Sequence, residues 1–404
     1  MNISTIFTNN NENYLTIPSI RKFAENIPEL KLGSLYEKSG MLAEIEKYMN
    51  QSPQNQEKVY DWLDSVCHEG IQDIHLTYAE VDTTVGLAMN NINSANNFIK
   101  NFISKNSSPH ISLNTYDKNF KLINAYCEDS EFGNRAVFVL CKKITIYDKA
   151  QKYQRDIDYP LIAEYYIDSC WLLLKAKSRS NMYIYTGKLL TLDTAESTTY
   201  EKQVKEAKKI LKSILKFDES SSQAEEKLKN KLFELLDQYT NTPKEIEDVL
   251  LKQTNNINKI AQYIKDLCNT QNILYKDIND DVRNLFEKYL SIVWSDKSIF
   301  TKDREAYPIK LNATDDEASK VEQVAGLSQP LQTKAVFFDN KKMLYKNKKC
   351  DNIYLKWKRL NNKYFGQDFS VSLSVGNNGA CIVKFREYVI QEDIENVLSK
   401  IIGV

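Results

Sequence analysis

The stretch LIAEYYIDSCWLLLKAK, residues 161–177, decides the fold class. Residues 161–167 and 171–177 are dense in apolar, β-branched and aromatic side chains. Asp168-Ser169-Cys170 between them suffices for a tight turn, so the pair reads as a β-hairpin. Upstream, RAVFVLCKKITIY at residues 135–147 has the same strand character. Strands that follow one another with no helix between them pair antiparallel. The class is therefore α+β, with a central antiparallel sheet, rather than alternating α/β.

Downstream of the hairpin the period changes to that of a helix. Val204, Ala207, Leu211, Ile214 and Leu215 make one apolar face, and Leu228, Leu232, Leu235, Leu236 and Tyr239 another. Thr242-Pro243-Lys244-Glu245 combines a capping box with proline at the first helical position. The seam behind it, Ile246, Leu250, Gln253, Ile257, Ile260, Ile264 and Leu267, alternates threes and fours like a short heptad array. An antiparallel hairpin with the preceding helix is expected, and residues 224–269 are a candidate surface for a protein partner or self-association. Asp280 or Asn279 would cap a fourth helix carrying Val282, Leu285, Phe286, Tyr289 and Leu290. Residues 295–330, with two prolines and Asp315-Asp316-Glu317, read as a linker in which 317–324 could form a short helix. Beyond it Phe369, Val371, Leu373 and Val375 alternate with serines, Gly376-Asn377-Asn378-Gly379 turns the chain, and residues 380–385 return. A last helix would bury Ile394, Val397, Leu398 and Ile401.

Upstream, residues 81–104 read as one amphipathic helix, with Val85, Ala88, Ile92, Ala95, Ile99 and Phe102 on its apolar face. Residues 1–80 read as mostly helical, and Ser52-Pro53 marks a helix start. The expected division is a helical N-terminal region (1–80), an α+β domain (81–195), a helical hairpin region (196–294), a linker (295–330) and a β-rich C-terminal domain (331–404).

The chain has 404 residues, 42% hydrophobic and 27% charged, as expected of a folded multidomain protein. Its 54 basic and 54 acidic side chains balance, which excludes a uniformly basic coat. No apolar run approaches the length of a membrane span, and the first residues lack a basic-then-apolar leader. A cytoplasmic protein with no membrane partner is expected. Seven cysteines without a Cys-x-x-Cys pair argue against a zinc ribbon or a disulfide framework. Only 11 glycines are present where average usage gives about 28, and no phosphate-binding glycine motif occurs. No cofactor is expected.

Catalytic signals are sparse. Cys67-His68-Glu69 holds a thiol beside an imidazole, but neighbours on a helix point about 100° apart. His68 followed by Gly70 reads as a helix C-terminal histidine, and position 72 is Gln where a zincin needs its second histidine. Asp156, Asp158, Glu164 and Asp168 lie near strand ends, where a divergent metal-dependent nuclease could gather them, although turns routinely carry acids. The sequence leans toward a non-enzymatic protein, and no catalytic or metal residue is assigned.

Charge segregation is the stronger signal. Residues 1–80 hold 6 basic and 12 acidic residues, and residues 333–364 hold ten basic against two acidic. The second segment carries Lys341, Lys342, Lys346, Lys348, Lys349, Lys356, Lys358 and Arg359, interleaved with aromatics. Alternation at 353–358 sends Tyr354, Lys356 and Lys358 to one face, a phosphate-and-base surface. Lys175, Lys177 and Arg179 share strand parity, about 7 Å apart, near the phosphate repeat. Lys205, Lys209, Lys212 and Lys216 form a stripe on a helix. The expectation is a protein that binds the backbone of DNA or RNA. The alternatives are a scaffold assembling through its helical hairpin and oppositely charged ends, and the divergent nuclease.

Overall fold

The computed structural model describes residues 3–8, 14–32, 36–130, 133–148, 153–190, 195–219, 221–268, 274–314, 320–326, 329–361, 363–376 and 378–402. The chain divides into two compact units. One comprises Met1–Ala224, Arg359–Phe369 and Asn377–Val404; the other comprises Glu225–Lys358 and Ser370–Gly376. Both combine helices with antiparallel strands, so the class is α+β. The division cuts across the five expected segments: the residues expected as a C-terminal domain are shared between the units.

In the first unit the antiparallel sheet runs Ala380–Phe385, Asp73–Tyr78, Trp171–Ala176, Tyr153–Tyr166, Gly133–Asp148. Lys121–Ser130 and Met182–Ile184 also pair with Gly133–Asp148. The hairpin of residues 161–177 forms as read: Tyr166 faces Trp171 across the turn, and Cys170 takes a positive φ of 56° to close it. The strand period of two sends alternate residues to opposite faces. Ala136, Phe138 and Leu140 join a core built with the helices Thr83–Ala88, Ile92–Lys100 and Tyr200–Leu215. Val137, Val139 and Cys141 join a second core built with Ile17–Glu25, Lys38–Met49 and Pro53–Ser65. Both faces of the sheet are thus covered by helices. Each fully enclosed Phe or Leu contributes about 1.5–3 kcal/mol relative to exposure.

Local signals fix several element ends. The Ser52 hydroxyl accepts from Asn55 N at 3.1 Å with Pro53 next, as expected. The 81–104 segment is two helices rather than one, because Asn91 caps the second through Ser94 N at 2.9 Å. Residues 73–78, expected within a helical region, form a strand buried between two neighbours. The terminal helix Gln391–Ile402 buries Ile394, Val397, Leu398 and Ile401 as expected.

In the second unit, Lys320–Val324, Ala306–Thr314 and Asn352–Lys358 pair antiparallel, and α-helices and short 3-10 helices accompany them. The expected linker is therefore structured: Ala306–Thr314 is paired along both edges, and Leu311 and Ala313 are buried. Residues 320–324 are strand rather than helix, while Asp315-Asp316-Glu317 lies outside the described residues. The heptad seam breaks at Gln253, which caps Lys244–Lys252 before Thr254–Cys268 begins. Thr254–Cys268 packs chiefly on Tyr275–Val293 rather than pairing as a hairpin with Ser221–Tyr239, with Ile257, Ala261, Ile278 and Val282 buried together. Two caps also differ. The Thr242 hydroxyl donates to Glu287 Oε1 at 2.7 Å, and Tyr275–Val293 starts ahead of Asn279, capped at Leu274. Among the described residues no helix is long and apolar enough to cross a membrane.

Candidate functional site

The tertiary structure encloses three of the expected phosphate-binding side chains, Lys175, Lys177 and Arg359. Lys175 lies on the sheet face covered by the N-terminal helices, and its ammonium, with no side-chain exposure, sits 2.6 Å from Glu164. Lys177, also buried, lies past the end of its strand with its ammonium 3.7 Å from the Tyr14 ring centroid. Arg179 is half-buried. Arg359 is enclosed, bonded to Asp393 and to Tyr388 O. Lys175, Lys177 and Arg179 do not form the open strip that parity suggested, because strand parity selects a face without saying whether that face meets water.

In the second unit Ile353, Leu355 and Trp357 are buried and Tyr354, Lys356 and Lys358 alternate with them, as expected. Lys358 donates to Thr301 O and Lys302 O at 2.6 and 2.9 Å, and Lys356 to Ser370 Oγ at 3.4 Å. The Lys310 ammonium stands 5.3 Å from the Tyr354 ring centroid. Lys341 pairs with Glu287, Lys342 with Asp281 and Lys349 with Glu226. Lys346 and Lys348 are exposed, at the end of helix Ala335–Asn347 and at its left-handed cap.

The acids singled out for a metal do not converge. Asp156 and Glu164 are eight residues apart on one strand, about 26 Å along an extended chain. Asp156 accepts from Thr145, Asp158 lies 3.8 Å from Lys143, and Asp168 stands at the turn beside Asn134 N.

A cleft of about 450 Å³ opens instead between helix Pro53–Ser65 and the sheet of the first unit. Its lining includes Glu57, Asp61, Asp64, His68, Tyr126, Glu128 and Arg135, with His110 from the segment after Pro109. The sheet register builds one wall. Glu164 faces Val137 and Leu173, so Arg135 and Lys175, two residues further along the neighbouring strands, are its diagonal partners on the same face. Glu164 Oε1 lies 2.6 Å from Lys175 Nζ and 3.6 Å from His68 Nδ1; Oε2 lies 3.3 Å from the Tyr166 hydroxyl and 3.6 Å from Arg135. Burial alone would raise the Glu164 pKa. The Lys175 ammonium, with His68 and Arg135, outweighs burial and holds the carboxyl well below its usual range. Arg135 also binds Glu128, directly opposite it in register, and Glu395. His68 thus stands between a buried, ionised carboxylate and the cleft, its side chain 17% exposed. That placement replaces the expected role at a helix C-terminus: the helix ends at Ser65, and Gly70 with φ of 97° turns the chain. Cys67 does not join His68; its buried thiol approaches Leu63 O at 3.6 Å, and burial pushes its pKa up.

The opposite wall comes from the helix. Glu57, Asp61 and Asp64 follow at i, i+4 and i+7, so they share one side. His110 Nδ1 lies 2.7 Å from Asp64 Oδ2 and Nε2 lies 3.2 Å from Glu57 Oε1, while Asp64 Oδ1 accepts from Ile111 N. The Tyr60 ring stacks on the imidazole. The hydrogen bond to Asp64, then the charges of Asp64 and Glu57, outweigh burial and push the His110 pKa up to about 9.

The helix spacing of Glu57, Asp61, Asp64 and His68 was legible as a second stripe beside Val59, Leu63 and Val66. No sequence signal ties it to His110 or Arg135, which arrive from elsewhere in the chain. No family model matches this chain, and no curated protein or solved structure is similar to it.

Proposed function

We propose that the first unit is an acid–base catalyst acting on a small polar substrate in this cleft, with His68 as the proton-transfer group. The observation that carries the reading is the His68–Glu164 contact: a buried carboxylate kept ionised beside an imidazole that reaches the cleft. An imidazole oriented by a carboxylate is a recurring arrangement for moving protons, worth about 10²–10⁴ in rate. Glu164, Lys175 and Arg135 are positioning residues that act through His68. Turnover of a panel of p-nitrophenyl esters, phosphates and glycosides tests the reading. At least one class should turn over, and His68→Asn should slow it by about 10²-fold or more with the circular dichroism spectrum unchanged. A panel without turnover, or full turnover by His68→Asn, removes it.

A second reading, binding of a nucleic-acid backbone, is favoured by one observation. Lys205, Lys209, Lys212 and Lys216 stand exposed along helix Tyr200–Leu215 and its cap, although Lys212 pairs with Asp218. Titration of labelled DNA and RNA at several salt concentrations tests it. Affinity should fall steeply with salt, and Lys205→Glu with Lys209→Glu should flatten the log–log slope by about two. Absent or salt-insensitive binding ends this reading.

A further inference from the structure

We infer that Glu57, Asp61 and His110 bind one divalent transition-metal ion on the helix wall of the cleft, with Asp64 fixing the imidazole from behind. The inference rests on this cleft being the functional site, and it concerns a different wall from His68.

The donor atoms of Glu57, Asp61 and His110 all lie within 4.8 Å of one another. Around a tetrahedral ion with bonds of about 2.0–2.2 Å, neighbouring donors are about 3.3–3.6 Å apart. Closing that difference requires only side-chain torsions of Glu57 and Asp61, which are both exposed and sit on a formed helix. The imidazole is already fixed. Its side chain is 8% exposed, Tyr60 stacks on one face, and Asp64 holds Nδ1 at 2.7 Å while its other oxygen accepts from Ile111 N. With Nδ1–H held by Asp64, the usual outer-sphere arrangement of a metal-bound histidine, the ion takes Nε2 and releases to solvent the proton that Nε2 shares with Glu57. Nε2 points at Glu57.

The helix face supplies an independent reason for a cation. Three acids at i, i+4 and i+7 repel one another, and each like-charged pair costs a few tenths of a kcal/mol. His110 answers two of them, Asp64 and Glu57. Asp61 takes no hydrogen bond or ion pair among the described residues, although it lies at the centre of the three. One imidazole with two carboxylates suits zinc, manganese or cobalt better than magnesium or calcium, which prefer all-oxygen shells. Three protein donors leave a position open to the cleft, as in catalytic rather than structural sites.

Calorimetric titration of the chelator-treated full chain with ZnCl₂, and separately with CoCl₂, tests the inference. Cys268→Ser serves as background, because Cys268 is the exposed thiol. One ion should bind per chain, and cobalt should show visible bands without thiolate charge transfer. Glu57→Gln with Asp61→Asn should weaken binding at least 100-fold, and Asp64→Asn by about 10–100-fold. The Glu57 and Asp61 substitutions are at exposed positions, so they keep the result readable should His110→Ala fail to fold. Unchanged affinity in the Glu57/Asp61 double variant, or no binding by the parent chain, overturns the site. His68→Asn separates the two proposals: it should lose turnover and keep its metal, whereas loss of metal binding alone leaves the His68 reading standing.

Discussion

Glu164→Leu is expected to destabilise the first unit by about 3–5 kcal/mol, the cost of leaving a buried charge without its partner. Glu164 and Lys175 have no side-chain exposure, and their 2.6 Å contact is what makes either charge tolerable there. Removing the carboxylate strands the Lys175 ammonium beside Ile162 and Val139, on a sheet face closed by helices. The double variant Glu164→Leu with Lys175→Met should recover much of the loss, since replacing a whole buried pair by apolar residues is often neutral. Urea unfolding of the three variants measures this. A single variant within 1 kcal/mol of the parent chain would show that Lys175 does not depend on Glu164. The double variant should also lose His68-dependent turnover while remaining folded, because the imidazole has lost its carboxylate.

Arg359→Ala is expected to cost a similar amount, about 3–5 kcal/mol, and to leave any nucleic-acid affinity unchanged. The sequence placed Arg359 in a basic patch. In the structure its side chain is 3% exposed, bonded to Asp393 and Tyr388 O, with the guanidinium 5.1 Å from the Phe369 ring centroid. Asp393 in turn accepts from Ile390 N at the start of the terminal helix, so the pair anchors that helix. Burial already pushes the Asp393 pKa up, and loss of Arg359 removes the charge that opposes this. The expected signature is an early urea transition, with affinity unaltered for the chain that remains folded. Normal stability with weakened nucleic-acid binding would return Arg359 to the surface role that its composition suggested.

The two variants mark where reading along the chain succeeds and where it stops. Hairpin, helix periods and caps are local: the four residues Ile167-Asp168-Ser169-Cys170 turn the chain between Tyr166 and Trp171, one more than expected, and Ser52 caps because its oxygen reaches Asn55 N. Charge segregation was legible as composition, whereas the partner of each charge was not. The acidic head and the basic segment meet within the first unit at one pair, where Lys363 bonds to Glu25. In the second unit Lys341, Lys342 and Lys349 are likewise paired to acids of their own unit. The cleft was legible only in part, as the acidic side of one helix, because His110 and Arg135 join it from separate segments.

The sequence by itself determined the α+β class, the antiparallel order of neighbouring strands and the positions of several element ends. These follow from periodicity and turn chemistry within a few residues. Only the tertiary structure decided which strand faces meet water, and with that the roles of Lys175, Lys177 and Arg359. It also decided that His68 stands against Glu164 rather than at a helix terminus. Burial depends on what covers a face, and here the cover comes from residues tens to hundreds of positions away.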